Sequence, residues 1–214
     1  GLLYLFIEQD IGHRRLRELL KAITKESKKE FERQDKLMGS LKVENAGLYN
    51  LATYTGKIGG FPIYEKSAAK YFPSGEAAFL EILAQLSSAK KYIFLEFYII
   101  AEGDMWGQIL KILADKVQEG VEVRVMYDGT CEFSTLPYSY RKKIEELGIM
   151  CKVFSPIRPF ISTHYNYRDH RKILVIDGLV AFTGGINLAD EYINKIEVYG
   201  HWKDTAIMIS GDAV

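Results

Sequence analysis

The chain has 214 residues, 48% of them apolar, which is enough to bury a sizeable core and excludes a wholly disordered polypeptide. Its 28 basic and 28 acidic residues cancel, so no global field gathers nucleic acid or an anionic surface, and anion binding has to be local. Two cysteines, Cys131 and Cys151, are too few for a disulfide framework or a thiolate metal site, and both read as core residues in a reducing compartment.

Residues 1–7 are apolar (Leu2, Leu3, Tyr4, Leu5, Phe6) and begin at Gly1, which reads as the end of a truncated membrane span, since a full span needs about 20 residues. His13, Arg14, Arg15, Arg17, Lys21, Lys25, Lys28 and Lys29 follow at once, the charge bias expected on the cytosolic side. Residues 8–39 then read as a charged juxtamembrane helix with Leu16, Leu19, Leu20 and Ile23 at helical spacing, closed by Gly39. A solvated linker helix and a membrane-surface helix both fit that pattern. Residues 40–75, with five glycines and two prolines, read as a loop-rich connection holding one small helix near Asn45 to Thr53.

A regular alternation begins after Ser74 and Gly75. The spacing predicts a helix over Glu76 to Lys90, a strand from Tyr92 to Ile100, a helix from Trp106 to Glu119 and a strand from Val121 to Tyr127. A helix from Tyr138 to Leu147 and a strand from Met150 to Phe154 complete this part. Strands alternating with helices of this length predict parallel pairings in a covered sheet. Lys172 to Ile176, the Asp177-Gly178 pair and Leu179 to Thr183 predict a hairpin on a two-residue turn, because Asp-Gly suits the positive φ angles of type I′. A last strand, Thr205 to Ile209, makes the sheet mixed.

The segment with chemistry is His170-Arg171-Lys172, followed five residues after the lysine by Asp177. If the strand reaches back to His170, side chains two apart share a face at about 6.6 Å, so His170 and Lys172 can flank one phosphate. Asp177 has the opposite parity and is expected to serve the turn or a local ion pair. A two-residue turn would pair Lys172 with Thr183 and set Gly184 and Gly185 beside Arg171 and His170, where glycines let the backbone pass close to a ligand. Asn187 could donate its amide to a phosphoryl oxygen, and Asp204 could orient the imidazole from within about 4 Å.

The wording Asn166-Tyr167-Arg168-Asp169-His170-Arg171-Lys172, then Phe182-Thr183-Gly184-Gly185-Ile186-Asn187-Leu188-Ala189-Asp190-Glu191-Tyr192, then Gly200-His201-Trp202-Lys203-Asp204, resembles bacterial cardiolipin synthases of the phospholipase D superfamily. Phe94-Leu95-Glu96-Phe97-Tyr98, Val121-Glu122-Val123-Arg124-Val125 and Tyr127-Asp128-Gly129 resemble earlier strands of that family, so the likeness covers nearly the whole chain. It implies a phospholipase D-like mixed β-sheet flanked by helices on both faces, with residues 76–214 as a catalytic half-domain. It implies His170 as nucleophile or acid, Lys172, Asn187 and the Gly184-Gly185 backbone as binders of the phosphoryl oxygens, Asp177 as the motif aspartate and Asp204 as the partner of the imidazole. No metal or other cofactor is required. The substrate implied is phosphatidylglycerol at the cytoplasmic side of the cell membrane, giving cardiolipin and glycerol, with no nucleic-acid partner.

One departure stands out: His13, His164 and His201 lack a matching lysine and aspartate, so the chain offers half an active site. The second motif is expected from a missing carboxy-terminal half or from a partner chain. The rival readings are a single-motif phosphodiesterase or nuclease active as a homodimer, a non-catalytic membrane-binding module, and a metal site built from His164, His170, His201 and Asp204. The balanced charge disfavours a nuclease groove, and no histidine pair has helical ligand spacing.

Overall fold

The computed structural model describes residues 37–157 and 168–214, together with residues 18, 21, 34 and 35. The apolar stretch at residues 1–7 and His164 lie outside these. The chain forms two compact units that divide between Lys66 and Ser67.

In the first unit the described residues up to 44 are helical, and Glu18 and Lys21 pair across one turn at 3.0 Å. The helix passes through Gly39, which therefore does not close it; one mid-helix glycine costs only about 1 kcal/mol. Asn45 makes the break instead. Its N–H donates to the Leu41 carbonyl while its side chain accepts from Leu48 N–H at 3.0 Å, capping α1 (Ala46–Tyr54). A π-helical turn, Thr55–Gly59, follows and ends at Gly60 with φ of 69°. No helix among the described residues is long and apolar enough to cross a membrane.

The second unit is built on a seven-stranded sheet in the order β1-β7-β6-β5-β2-β3-β4. Its strands are β1 (Ser67–Phe72), β2 (Tyr92–Phe97), β3 (Glu122–Asp128), β4 (Met150–Phe154), β5 (Lys172–Ile176), β6 (Val180–Gly184) and β7 (Ala206–Gly211). Strands β2, β3 and β4 run parallel and the remaining neighbours antiparallel. The parallel crossovers carry α2 (Gly75–Ser88, between β1 and β2), α3 (Asp104–Gln118), the short α4 (Cys131–Ser134) and α5 (Tyr140–Glu146). Ser74 caps α2, its extended backbone (φ −152°) aiming the hydroxyl at Ala77 N–H. Because side chains alternate across a strand, Ile93, Leu95 and Phe97 of β2, Val123 and Val125 of β3 and Leu174 and Ile176 of β5 all point to one face. There they pack with Phe79, Ile82 and Leu86 of α2 and Trp106, Ile109 and Leu113 of α3 in one core. Trp106 sits almost fully buried, with its indole N–H donating to the Tyr140 hydroxyl at 2.9 Å.

Two expectations are corrected. The 40–75 connection contains β1, an edge strand on β7, of whose residues only Phe72 is buried. The hairpin has the Asp177-Gly178 turn with positive φ at both residues (57° and 66°) and Leu179 N–H donating to Ile176 C=O at 3.0 Å. However, Ile176 pairs with Val180, not Leu179, so Leu179 is one extra residue and the pairing moves to Ile173 with Thr183. Leu179 gives its own carbonyl to Gly211 N–H at 3.1 Å, which ties the extra residue to β7.

Candidate active site

The start of β5, the end of β6 and the loop that leads from β6 to β7 converge on a cleft of about 350 Å³ lined by His170, Lys172, Gly184, Gly185, Asn187, Tyr192, Trp202 and Asp204. His170 and Lys172 face it together, as residues two apart on an extended chain should. His170 is exposed and lies just before β5, while Lys172 opens the strand and is 5% exposed. The Lys172 ammonium stands 3.3 Å from Nδ1 and 3.2 Å from Nε2 of His170 and donates to the His170 carbonyl oxygen at 2.8 Å. Burial lowers the Lys172 pKa from the usual lysine range, with Asp204 and Asp169 partly opposing the shift. Its hydrogen bonds run to His170, and among the described residues no carboxylate bonds the ammonium, an arrangement suited to an incoming phosphate. Tyr98, which follows β2, supports both groups: its ring packs 4.7 Å from the His170 ring and lies under the ammonium at 5.3 Å.

The loop from Gly185 to Asp204 is pinned at several points. Asn187, 2% exposed, accepts from Ile99 N–H at 3.0 Å and donates to the Tyr192 hydroxyl at 2.7 Å. The backbone donor at Ile99 fixes which end of the amide is oxygen. Asp190 accepts from the N–H groups of Asp104 and Met105 at 2.9 and 2.7 Å, capping α3 from outside its own segment. Gly103 makes this cap possible, since a Cβ there would come within 2.7 Å of the Asp190 carboxylate. Asn194 and Trp202 then close the loop, with Trp202 N–H donating to Asn194 Oδ1 at 2.6 Å.

The structure gathers His170, Lys172, Gly184, Gly185, Asn187 and Asp204 around one cleft. Three expected contacts differ from the sequence reading. Asp204 accepts from Thr205 N–H at 2.7 Å and makes no ion pair with the His170 ring, whose nitrogens face the Lys172 ammonium. The glycine at 185 makes room for Asp204 itself, because a Cβ there would fall 2.0 Å from its carboxylate oxygen. Asp177 lies at the opposite end of β5 from Lys172, where its carboxylate accepts from the N–H groups of Lys90, Lys91 and Tyr92 at 2.8, 2.7 and 2.9 Å. Burial would raise its pKa, but those three donors outweigh it and hold the carboxyl below the usual range. Asp177 is a fold residue rather than a cleft residue. Sequence reasoning missed Tyr192, Trp202 and Tyr98 as walls of the site; aromatic residues at these places carry no spacing signal of their own.

The family model for the cardiolipin synthase phospholipase D-like domain matches residues 82–208. An uncharacterised protein of Streptococcus mutans is 57% identical over the whole chain, which spans 47% of that protein. A cardiolipin synthase of Alkalihalophilus pseudofirmus is 42% identical over 159 residues, 74% of this chain and 31% of the relative. The cardiolipin synthase of Geobacillus kaustophilus is 39% identical over 159 residues, 74% of this chain and 32% of its own length. The chain thus spans less than half the length of the curated relatives it matches. Among solved structures, the phospholipase D family member Nuc of Salmonella typhimurium superposes with a TM-score of 0.51 at 20% identity, covering 68% of this chain and 83% of Nuc. The phosphatidylserine synthase of Haemophilus influenzae does so with a TM-score of 0.53 at 18% identity, covering 67% of this chain and 33% of that protein. These likenesses agree on the fold, a phospholipase D-like α/β sheet. With the histidine and lysine facing one cleft and the family model spanning more than half of the sequence, the chain belongs to the cardiolipin synthase family of the phospholipase D superfamily.

Proposed function

We propose that the chain carries one histidine-lysine motif of a cardiolipin synthase, working on phosphatidylglycerol at the cytoplasmic side of the cell membrane. The observation that carries this reading is the buried Lys172 ammonium held beside His170 in a cleft open to solvent, with no carboxylate bonded to it among the described residues. A His170 ring nitrogen attacks the phosphorus of one phosphatidylglycerol, forming a P–N bond as the P–O bond to its headgroup glycerol breaks. The leaving oxygen takes a proton from a second histidine motif, which we place in residues beyond this chain or in a partner chain. A hydroxyl of a second phosphatidylglycerol then attacks the phosphohistidine and gives its proton to that same group, releasing cardiolipin. Lys172 stabilises the charge that grows on the phosphoryl oxygens. Asn187 fixes the cleft wall through Ile99 and Tyr192, Gly185 seats Asp204, and Gly184 lets Thr205 and Ala206 approach closely.

The test is cardiolipin and glycerol release from phosphatidylglycerol vesicles by the complete gene product. Lys172→Ala should lower turnover by about 100- to 1,000-fold, and this 214-residue chain alone should be nearly inactive. Full activity of the isolated chain as a monomer would sink the two-motif reading. A second reading, a single-motif phosphodiesterase acting as a homodimer, has one observation in its favour: the match to 83% of Nuc means that a domain of this fold stands as a chain by itself. Phosphodiester hydrolysis by a dimer of the isolated chain would select it.

A further inference from the structure

Residues 169–172 alternate across the chain. His170 and Lys172 face the cleft, whereas Asp169 and Arg171 point toward the opposite side, where Glu96 of β2 lies across from Ile173. Three acid and base groups meet there. Arg171 Nε stands 2.8 Å from Asp169 Oδ1 and 2.7 Å from Glu96 Oε1, so both carboxyls crowd one guanidinium nitrogen. The N–H of that nitrogen is aligned on Asp169, and Arg171 also reaches Asp169 through its backbone N–H at 3.3 Å. Glu96 Oε1 is consequently buried without an aligned donor. Asp169 is anchored on its other side, its backbone N–H donating at 3.1 Å to Asp128, which is fully buried and also holds Arg168 at 3.2 Å. A buried oxygen facing a carboxylate across hydrogen-bonding distance is satisfied if it carries a proton.

We propose that Glu96 is a positioning residue for His170: protonated, it donates to Asp169, and the resulting Glu96–Asp169–Arg171 clasp fixes the backbone on either side of the histidine. This rests on the His170 reading above. Burial, together with the hydrogen bond and charge of Asp169, pushes the Glu96 carboxyl up to about 7 against the pull of Arg171. Burial would raise Asp169 as well, but its hydrogen bonds from Arg171 and Glu96 prevail and lower it, so the shared proton sits on Glu96. Arg124 of β3, Lys152 of β4 and Arg141 and Glu145 of α5 line the same open side of the sheet, and none of them pairs with Glu96 among the described residues. Above about pH 7 the clasp therefore holds two negative carboxylates on one guanidinium, and their repulsion loosens the 169–171 segment. Glu96 does not line the cleft, so substrate binding is spared and the chemical step is not.

Two measurements test this. In the 214-residue chain with 13C-labelled glutamate carboxyls, the resonance lost in Glu96→Gln should titrate near pH 7, and should return to the ordinary carboxylate range in Asp169→Asn. In the complete gene product, Glu96→Ala should lower kcat by about 10- to 100-fold with KM unchanged. Glu96→Gln, which keeps a donor toward Asp169 without a titrating proton, should restore most of that loss and remove the fall in kcat above pH 7. A Glu96 midpoint below pH 5 would overturn the proposal. So would a wild-type kcat in Glu96→Ala, or an alkaline limb in Glu96→Gln equal to that of the wild type. The carboxyl titration reads the clasp without turnover, so it stands apart from any failure of the phosphatidyl-transfer reading.

Discussion

Asp177 and Glu96 are carboxylates bonded at opposite ends of β2, and their surroundings drive them in opposite directions. Asp177 collects three backbone N–H groups and is held ionised, whereas Glu96 faces another carboxylate and keeps its proton. Because the folded pKa of Asp177 is depressed, its contribution to stability is complete above the ordinary aspartate pKa and is lost as the pH falls through the folded value. Asp177→Ala should therefore cost about 2–3 kcal/mol at pH 7, with the difference from the wild type shrinking toward zero in strong acid. Urea denaturation at both pH values measures it; an equal cost at pH 7 and in strong acid would show that the charged bonds do not matter. The parity argument from sequence placed Asp177 away from the phosphate, but its partners are more than 80 residues away in the chain and were not legible. Asp204 and Asn187 show the same limit. Their presence at the cleft was readable from the motif, yet Asp204 turns to the N–H of its own neighbour Thr205, and Asn187 bridges Tyr192 in its own loop and Ile99, a partner far away in the chain.

Elements with strong periodicity were legible to within a few residues. Strands β4 and β5 fall on the predicted bounds, and α2 and α3 differ from theirs only at the ends, because alternating or helical apolar patterns are fixed by a common core. Strand β1 was hidden because an edge strand of mostly exposed residues has no apolar alternation to read. The shift at Leu179 was hidden because a type I′ turn was correctly signalled and the extra residue beyond it was not. That residue makes a sharp prediction. Deleting Leu179 would leave a two-residue Asp177-Gly178 loop that still pairs Ile176 with Val180, so β6 should keep its register and Phe182 its place in the core, while the bond from Gly211 N–H to the Leu179 carbonyl is lost. The deletion should therefore destabilise the protein by only about 1 kcal/mol, the net worth of one hydrogen bond. An unfolded deletion variant, or a folded one with Phe182 exposed to solvent, would contradict this account of the sheet.

At the scale of the whole molecule, the second unit brings its two fixed surfaces together at one strand. The core-facing side of β5 places Lys172, and Arg171, the residue before the strand, points the opposite way toward its acidic partners. The cleft so formed holds one histidine and one lysine, and the sequence carries no second histidine-lysine motif, which is why the proposed chemistry calls for a further group to protonate the leaving oxygen. The claim most exposed to direct test is that His170 forms the covalent intermediate. Complete gene product incubated with 32P-labelled phosphatidylglycerol and quenched in alkali, where phosphohistidine survives, should carry label on the peptide containing His170, and His170→Ala should carry none. Label mapped to a different residue and still trapped in His170→Ala would contradict it.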